Sequence, residues 1–257
     1  MPPPEIPQES PRFPWLPQVH IKRPGLDVAT ALVVVIISIH WQVARAGGPD
    51  YMPDMFVQLG VTWSGFENGK IWQVISYALL HGNWFHLLMN VFMFWLIGGK
   101  VIHILGHRMW LKVVFFGILV GGLLHLGTSA VVIKNGFQEA RLVGISGACY
   151  ALLIALITLS PDSKMWPIPI SGKNLGLGLI LCELLLWLMM PDLGIPMLSQ
   201  VGAKVIEYGG GGMFQISHAC HFGGAMVGWW IARRMLAPSL SLEQLQEMRA
   251  KREGEEE

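Results

Sequence analysis

The chain has 257 residues, of which 53% are hydrophobic and only 14% are charged. That charged fraction lies far below the quarter that is typical of soluble domains, so the composition favours a membrane protein. The formal net charge of +1 excludes the strongly basic surface with which proteins bind the phosphates of nucleic acids. We therefore expect the lipid bilayer, and no nucleic acid, among the partners of this chain.

Residues 1–25 are rich in proline and include Glu5 and Glu9, so they resemble neither a signal peptide nor an Arg-rich transit peptide. We interpret them as a Pro-rich cytoplasmic tail. A helix that crosses a bilayer needs about 20 mostly apolar residues. Six segments meet this criterion, at roughly 26–46, 84–105, 110–132, 145–160, 174–190 and 216–236. They predict an all-α polytopic membrane protein with a six-span bundle over residues 26–236, followed by a polar cytoplasmic tail at 237–257.

The distribution of Lys and Arg predicts the orientation of this bundle. With six spans both tails share one side of the membrane, and the opposite side carries only five of the 18 basic residues: Arg45, Lys70, Lys134, Arg141 and Lys204. Because short cytoplasmic loops are enriched in Lys and Arg, both termini are expected in the cytoplasm. We expect a multi-pass protein of the cell (inner or plasma) membrane.

Polar residues stand at the ends of three spans that share one depth in this topology. Span two begins with His86 and Asn90, which are four residues apart and therefore on one helical face. Span four begins with Ser146, and span six begins with His218 and His221. Polar groups within spans usually face a bundle interior or a watery cavity. Each one alone is explained by ordinary packing near the interface, but together they indicate a functional site.

Spans four and six also carry small residues at four-residue spacing: Gly147, Ala151 and Ala155, and Gly224, Gly228 and Ala232. Such ridges let transmembrane helices pack in close contact. Simple helix packing explains the pattern without any catalysis. The two interpretations are compatible, because close packing of these spans would bring Ser146 towards His221.

A serine hydroxyl beside a histidine is the core of nucleophilic acyl transfer. The imidazole removes the hydroxyl proton during attack and returns a proton to the leaving amine. Tyr150 follows Ser146 by one turn on the same face, where its ring would pack on the imidazole. His86, Asn90 and the backbone N–H of Ser146 would donate hydrogen bonds to the oxyanion of the tetrahedral intermediate.

Three motifs in this order resemble those of the rhomboid intramembrane serine proteases: HGNWFHLLMN (81–90), GISG (144–147) and CHFGGAMVG (220–228). The resemblance covers about residues 26–236. It implies a Ser-His dyad in which Ser146 is the nucleophile and His221 is the general base, with His86 and Asn90 as the oxyanion-stabilising pair. The residues that it places in support of these groups are Gly144, Gly147, Tyr150, Gly224 and Gly228. The implied activity is hydrolysis of transmembrane protein substrates in or near a membrane-spanning helix, without a cofactor.

Two other functions are compatible with parts of the pattern. A catalytically inactive relative would bind transmembrane clients, but such relatives usually lack the Ser or the His, and both are present here. A small transporter would use the buried histidines, but the sequence has neither an internal repeat nor paired broken helices.

Two features offer other interpretations of the polar residues. His218 and His221, with His81 and His86, are spaced as zinc ligands can be, but the HExxH motif is absent and no Asp or Glu lies nearby in these spans to complete the set. We therefore predict no metal. Glu183, within the apolar segment LGLILCELLLWLMM, is interpreted as a partnered carboxylate with a structural role. The alternative is a hydrogen bond that sets how span five closes against its neighbour.

The loops show two further peculiarities. Residues 191–215 lack a packing period and contain Gly209 to Gly212, a run with little conformational bias. We predict a mobile cap over the site with Met213 or Phe214 as an apolar plug, and an ordinary long loop is the alternative. In the first external loop Trp72 is followed by Gln73, where many rhomboids have a Trp-Arg pair.

Overall fold

The structure, a computed structural model, describes residues 27–165 and 169–236, together with Gln246 and Arg249. The predicted tails at 1–25 and 237–257 lie outside the described residues, apart from those two positions. The described chain folds into the helices α1 (Val28–Arg45), α2 (Pro53–Leu59), α3 (Trp63–Glu67), α4 (Gln73–Ser76), α5 (Trp84–Lys134), α6 (Ser146–Leu159), α7 (Gly172–Leu188), α8 (Leu198–Glu207) and α9 (His218–Leu236).

Short 3₁₀ helices at Pro49–Tyr51, Tyr77–Leu79, Pro191–Leu193 and Gly210–Phe214 connect some of these elements. The strands β1 (Lys164–Met165) and β2 (Ile170–Ser171) pair antiparallel between α6 and α7, and they form the one sheet within the described residues. The predicted all-α fold is therefore confirmed.

The helix α5 consists of two helices that meet at Gly106. Gly106 has φ 75° and ψ 165°, a conformation open to glycine because glycine has no Cβ. The two parts correspond to the predicted spans 84–105 and 110–132. At the start of α5 the side chain of Asn83 accepts a hydrogen bond from the backbone N–H of His86 at 2.8 Å, which caps the helix.

The helix α6 lies at the centre of the core, between α5 and α9. Its buried residues are small or aliphatic and lie on several faces of the helix: Gly147, Ala148, Cys149, Ala151, Leu152, Ile154, Ala155 and Ile157. A helix that is apolar all round belongs in a protein core or a membrane span. Among the described helices, α1 and α5 are long and apolar enough to cross a membrane, and α6 is apolar but shorter.

The segment between α1 and α5 is tied to the chain that precedes α6. The carboxylate of Glu139 accepts hydrogen bonds from the backbone N–H of Trp63 and from the hydroxyl of Ser64, the latter at 2.7 Å, at the start of α3. Val61 and Leu142 form an isolated antiparallel bridge. These contacts fix the backbone a few residues before Ser146.

The prediction that residues 191–215 lack a packing period is wrong, because they contain α8. This helix buries Ser199 and Gly202 rather than large apolar side chains. The hydroxyl of Ser199 donates to the carbonyl of Met190 at 2.8 Å, and a Cβ on Gly202 would lie 1.8 Å from the carbonyl oxygen of Met189. Leu198, Val201, Val205 and Ile206 do recur at helical spacing, but α8 packs through Ser199 and Gly202 and leaves Val201 and Ile206 exposed.

Candidate active site

Ser146 begins α6 directly after a turn that requires glycine. Gly144 has φ +110°, and a Cβ there would lie 2.7 Å from Nε2 of His86 and 3.2 Å from Nδ2 of Asn90. Its backbone N–H donates to the carbonyl of Tyr77 at 3.0 Å. The missing side chain of Gly144 therefore lets His86 and Asn90 of α5 approach the residues around Ser146.

His221 of α9 lies against this serine. Its Nε2 is 2.9 Å from Oγ of Ser146, which is hydrogen-bonding distance. The imidazole is buried. The two residues are 75 positions apart in the sequence, so only the packing of α6 against α9 brings them together.

Two glycines of α9 allow that packing. A Cβ on Gly224 would lie 2.0 Å from the carbonyl oxygen of Gly147, and a Cβ on Gly228 would lie 2.1 Å from the carbonyl oxygen of Ala151. These distances are far below any van der Waals contact. The backbones of α6 and α9 therefore touch along the ridge of small residues, one turn beyond the Ser146–His221 pair.

Tyr150 stacks on the imidazole of His221. The ring centroids are 4.4 Å apart and the ring planes differ by 13°. The hydroxyl of Tyr150 donates to Oε1 of Glu183 on α7. Tyr150 thus restricts the ring of His221 from one face and contacts the carboxylate that lies at the edge of the same ring.

Glu183 is buried and contacts three side chains on two neighbouring helices. Besides Tyr150, its Oε1 lies 3.3 Å from Nδ1 of His221, and its Oε2 lies 2.6 Å from Nδ1 of His218. The opposite ring nitrogen of His218 lies 2.6 Å from the carbonyl oxygen of Met213. These contacts connect α7 to both α6 and α9.

His86 and Asn90 lie on one face of α5 beside Gly144, as their spacing predicts. His86 is half-buried, and its ring is 5.1 Å from that of His81. The Nδ2 of Asn90 is buried without a hydrogen-bond partner among the described residues. As the first residue of α6, Ser146 has a backbone N–H with no acceptor in its own helix. The site thus contains hydrogen-bond donors that are free to donate to an oxygen atom of a ligand.

A cavity of about 510 Å³ leads to these groups. Its lining includes Ser146, His86 and His221, and also Phe214 from the 3₁₀ helix before α9. Of the two predicted plugs, Phe214 faces the cavity, whereas the Met213 side chain is exposed and its carbonyl faces His218. The predicted mobility of this segment stays a prediction.

Comparison with known proteins identifies the family. The family model for the rhomboid domain matches residues 68–238, which is most of the chain. This chain belongs to the rhomboid family. The match contains every residue of the Ser146, His221, Tyr150 and Glu183 cluster.

Individual rhomboid relatives are more distant. The chain is 26% identical to the rhomboid protease GlpG of Pectobacterium atrosepticum over 146 residues, which is 55% of this chain and 46% of that protein. It is 27% identical to the rhomboid-like protease 2 of Toxoplasma gondii over 205 residues, which is 77% of this chain and 68% of that protein. The chain thus spans about half the length of the first of these relatives.

Family membership supports three coarse conclusions. The all-α fold is that of a rhomboid bundle, the chain is a membrane protein, and its family is one of intramembrane proteases.

The Trp72–Gln73 departure from other rhomboids has a structural counterpart. Trp72 Nε1 donates to the carbonyl of Gln58 at 2.8 Å, and the buried Gln73 amide donates to the carbonyl of Val57 at 2.9 Å. Both side chains anchor α4 to the end of α2.

Spans two and six contain no Asp or Glu, but a carboxylate from another helix, α7, joins two of the histidines. Glu183 lies beside His218 and His221, and the ligand atoms of the three all lie within 4.8 Å of one another, so the set could hold a metal ion. The hydrogen bonds described above already occupy these atoms. A single signal in the sequence could have pointed to this cluster, namely a carboxylate in the middle of an apolar helix, which requires polar partners from other helices.

Proposed function

We propose that this rhomboid is an intramembrane serine protease that hydrolyses peptide bonds in or near the transmembrane helices of membrane-protein substrates. Ser146 is the nucleophile and His221 is the general base of a Ser-His dyad. The observation that carries the proposal is the 2.9 Å distance between Oγ of Ser146 and Nε2 of His221. A part-buried serine beside a buried imidazole, both lining a cavity, matches the geometry of nucleophilic acyl transfer.

In the acylation step, Oγ of Ser146 forms a bond to the carbonyl carbon of the scissile peptide. The hydroxyl proton passes to Nε2 of His221, and the π electrons of the carbonyl move onto its oxygen. As the intermediate collapses, the C–N bond breaks and Nε2 gives its proton to the departing amine. The products are a free amine and an acyl ester on Ser146.

The developing oxyanion requires donors that are in place before the reaction. His86, Asn90 and the backbone N–H of Ser146 are the donors that we propose. The buried Nδ2 of Asn90 has no partner among the described residues and lies beside Gly144, which supports this assignment.

In the deacylation step, a water molecule attacks the acyl ester. Nε2 of His221 takes one proton from this water, and Oγ of Ser146 receives that proton as the ester C–O bond breaks. The released product carries the new carboxyl group. The cavity beside Ser146 supports a supply of water, and the substrate helix must unwind locally, because helical carbonyls are engaged in hydrogen bonds.

Gly144, Gly147, Gly224 and Gly228 serve this chemistry by allowing close approach of the backbone, and Tyr150 does so by stacking on His221. The proposed reaction needs neither a cofactor nor a metal.

The proposed setting is the cell membrane, with six spans and both termini in the cytoplasm. The distribution of Lys and Arg supports this orientation. Single cysteines in a cysteine-free background test it, with Asn68→Cys on the proposed external side and Ser239→Cys on the cytoplasmic side. A membrane-impermeant maleimide added to intact cells should label only the first. The reverse pattern would contradict the orientation.

A fluorophosphonate probe tests the nucleophile directly in protein purified in detergent. We expect labelling of the wild type, and no labelling of Ser146→Ala or His221→Ala. Labelling that persists in Ser146→Ala would overturn the assignment. The second candidate function is a catalytically inactive rhomboid that binds transmembrane clients. A folded wild type that neither labels nor cleaves would favour it.

A further inference from the structure

Glu183 lies where an isolated carboxylate is unfavourable. It stands in the middle of the apolar helix α7 and is only 5% exposed. Burial of an ionised carboxylate is strongly unfavourable unless it is paired and hydrogen-bonded. Its three contacts, with Tyr150, His218 and His221, satisfy this requirement. Each of these contacts can stabilise the fold, take part in the reaction, or do both.

The hydrogen-bond partners of His218 determine which of its ring nitrogens carry protons. Its Nε2 faces the carbonyl of Met213, which can only accept a hydrogen bond, so this nitrogen carries a proton. Its Nδ1 faces Oε2 of Glu183 at 2.6 Å. One further proton lies between these two atoms, so the His218–Glu183 pair is neutral as a unit. His218 therefore provides the counter-charge that lets a carboxylate remain in the bundle.

The other carboxylate oxygen faces the catalytic histidine. Nε2 of His221 must be without a proton to accept one from Ser146, so the proton of the neutral ring lies on Nδ1. Nδ1 is 3.3 Å from Oε1 of Glu183, which accepts this hydrogen bond. When the ring becomes an imidazolium during attack, the same oxygen lies next to the new positive charge.

We propose that Glu183 is a positioning residue for catalysis and makes Ser146, His221 and Glu183 a triad that joins α6, α9 and α7. Glu183 holds His221 in the tautomer that can accept the serine proton, and it stabilises the imidazolium that forms. His218 keeps the carboxylate in place, and Tyr150 contacts both the ring and the carboxylate. This inference rests on the proposed function, because it assigns Glu183 a part in that same reaction.

The decisive variant is Glu183→Gln in the full-length protein. An amide keeps the shape of the carboxylate, and its oxygen still accepts from Tyr150 and His221. Its NH₂ group donates to Nδ1 of a neutral His218, so the contacts of α7 are retained while the negative charge is lost. Glu183→Asp retains the charge on a shorter side chain. Glu67→Gln, at an exposed position on α3, is the matched control.

The measurements are kcat and KM on a fluorogenic transmembrane peptide that the wild type cleaves, the rate of fluorophosphonate labelling, and the thermal unfolding temperature. For Glu183→Gln we expect kcat and the labelling rate to fall roughly 10- to 100-fold, as part of the contribution of general-base catalysis is lost. We expect KM to change less than twofold and the unfolding temperature to stay near that of the wild type. Glu183→Asp should recover part of kcat, and Glu67→Gln should match the wild type.

A purely structural carboxylate gives a different result. Glu183→Gln would then keep the wild-type kcat, or would lose activity only in proportion to the fraction of unfolded protein, and either outcome overturns the proposal. Loss of wild-type activity on addition of EDTA, with recovery on addition of zinc, would also overturn it. Glu183, His218 and His221 would in that case hold a metal instead of the hydrogen bonds described.

A second measurement does not depend on any variant. Nitrogen NMR of histidine-labelled wild-type protein reports which ring nitrogen of His221 carries the proton. Protonation at Nδ1 supports the triad, and protonation at Nε2 overturns it. Failure of the proposed function gives a different result from failure of the triad. In that case a folded wild-type protein is not labelled by the fluorophosphonate at Ser146.

Discussion

At the scale of single residues, Asn90 brings an unpaired donor close to the turn at Gly144. Its side chain is buried and its Nδ2 has no partner among the described residues. An unsatisfied buried donor reduces stability by about 1–3 kcal/mol. In the proposed reaction this donor meets its acceptor when the oxyanion forms.

Asn90→Ala should therefore separate activity from stability. We expect kcat to fall about 10²- to 10³-fold, which is the typical effect of removing one oxyanion-hole donor. The unfolding temperature should be unchanged or higher, because the unpaired amide is gone. Kinetics on a transmembrane peptide and thermal unfolding in the same detergent measure both. Asn68→Ala, at an exposed position just after α3, is the control. Retention of the full kcat by Asn90→Ala would remove this residue from the oxyanion site.

His81 predicts a pH dependence of stability. It precedes α5, outside the proposed spans, and neither ring nitrogen has a hydrogen-bond partner among the described residues. Burial, with smaller contributions from the neighbouring charges of His86 and His40, lowers the pKa of His81 to about 3. In the unfolded chain an ordinary histidine has a pKa of about 6.5. Between these values the unfolded state binds the extra proton, so acid destabilises the folded protein.

We expect the unfolding temperature of the wild type to fall as the pH is lowered from about 6.5 towards 3, where one such proton changes stability by about 1.4 kcal/mol per pH unit. His81→Leu should flatten this slope, since leucine takes up no proton. Thermal unfolding over a pH series measures the effect, with His107→Leu at an exposed position as the control. An unchanged slope in His81→Leu would show that other groups cause the acid sensitivity.

At the scale of helices, the contact of α6 with α9 determines whether the site exists. Gly224 and Gly228 bring the two backbones together, and Ser146 and His221 lie on the same sides of these helices. Any separation of α6 from α9 lengthens the distance over which the proton must move. The ridge thus has a catalytic consequence as well as a packing one.

Gly224→Ala should abolish activity and destabilise the bundle. Its Cβ would lie 2.0 Å from the carbonyl oxygen of Gly147, which is backbone and cannot rotate away. Overpacking of this kind typically destabilises by about 1–3 kcal/mol or more. Gly178→Ala on α7 is the matched control, because a Cβ there has no atom within 4 Å. Fluorophosphonate labelling and thermal unfolding should separate the two variants, and equal behaviour would contradict the close contact.

At the scale of the whole molecule, long-range ties join segments that lie far apart in the sequence. Glu139 caps the start of α3 from the chain just before α6, and the Val61–Leu142 bridge lies beside it. The segment between α1 and α5 and the approach to Ser146 therefore form one connected structure.

Glu139→Ala tests this connection. We expect a lower unfolding temperature, corresponding to about 1–3 kcal/mol for the loss of hydrogen bonds to a charged acceptor. At temperatures where the variant is folded, Ser146 should still be labelled, because the dyad itself is intact. Glu67→Ala, at an exposed position on α3 itself, is the control. An unchanged unfolding temperature would show that the Glu139 contacts do not support the fold.

The arrangement of the whole bundle explains which parts of the fold and the site the sequence could predict. The positions of Ser146, His86, Asn90 and His221 followed from spans whose ends share one depth, and the ridges followed from small residues at fixed spacing. The partners of Glu183 did not follow, because nothing in the pattern of α7 states which faces of α6 and α9 it meets. The helix α8 was missed because the run Gly209 to Gly212 favoured a loop, although Leu198, Val201 and Val205 recur at helical spacing.

One consequence concerns timing within the catalytic cycle. Glu183 belongs to α7, whereas the ring that it orients belongs to α9 and the stacking tyrosine belongs to α6. If α7 moves away from its neighbours, His221 loses the acceptor at Nδ1 in the same event. With Glu183 as the positioning residue, bond cleavage can proceed only while α7 is docked. Under the proposed triad, a conformation opened at α7 is also one in which His221 lacks its acceptor at Nδ1, so an open α7 and peptide hydrolysis exclude each other.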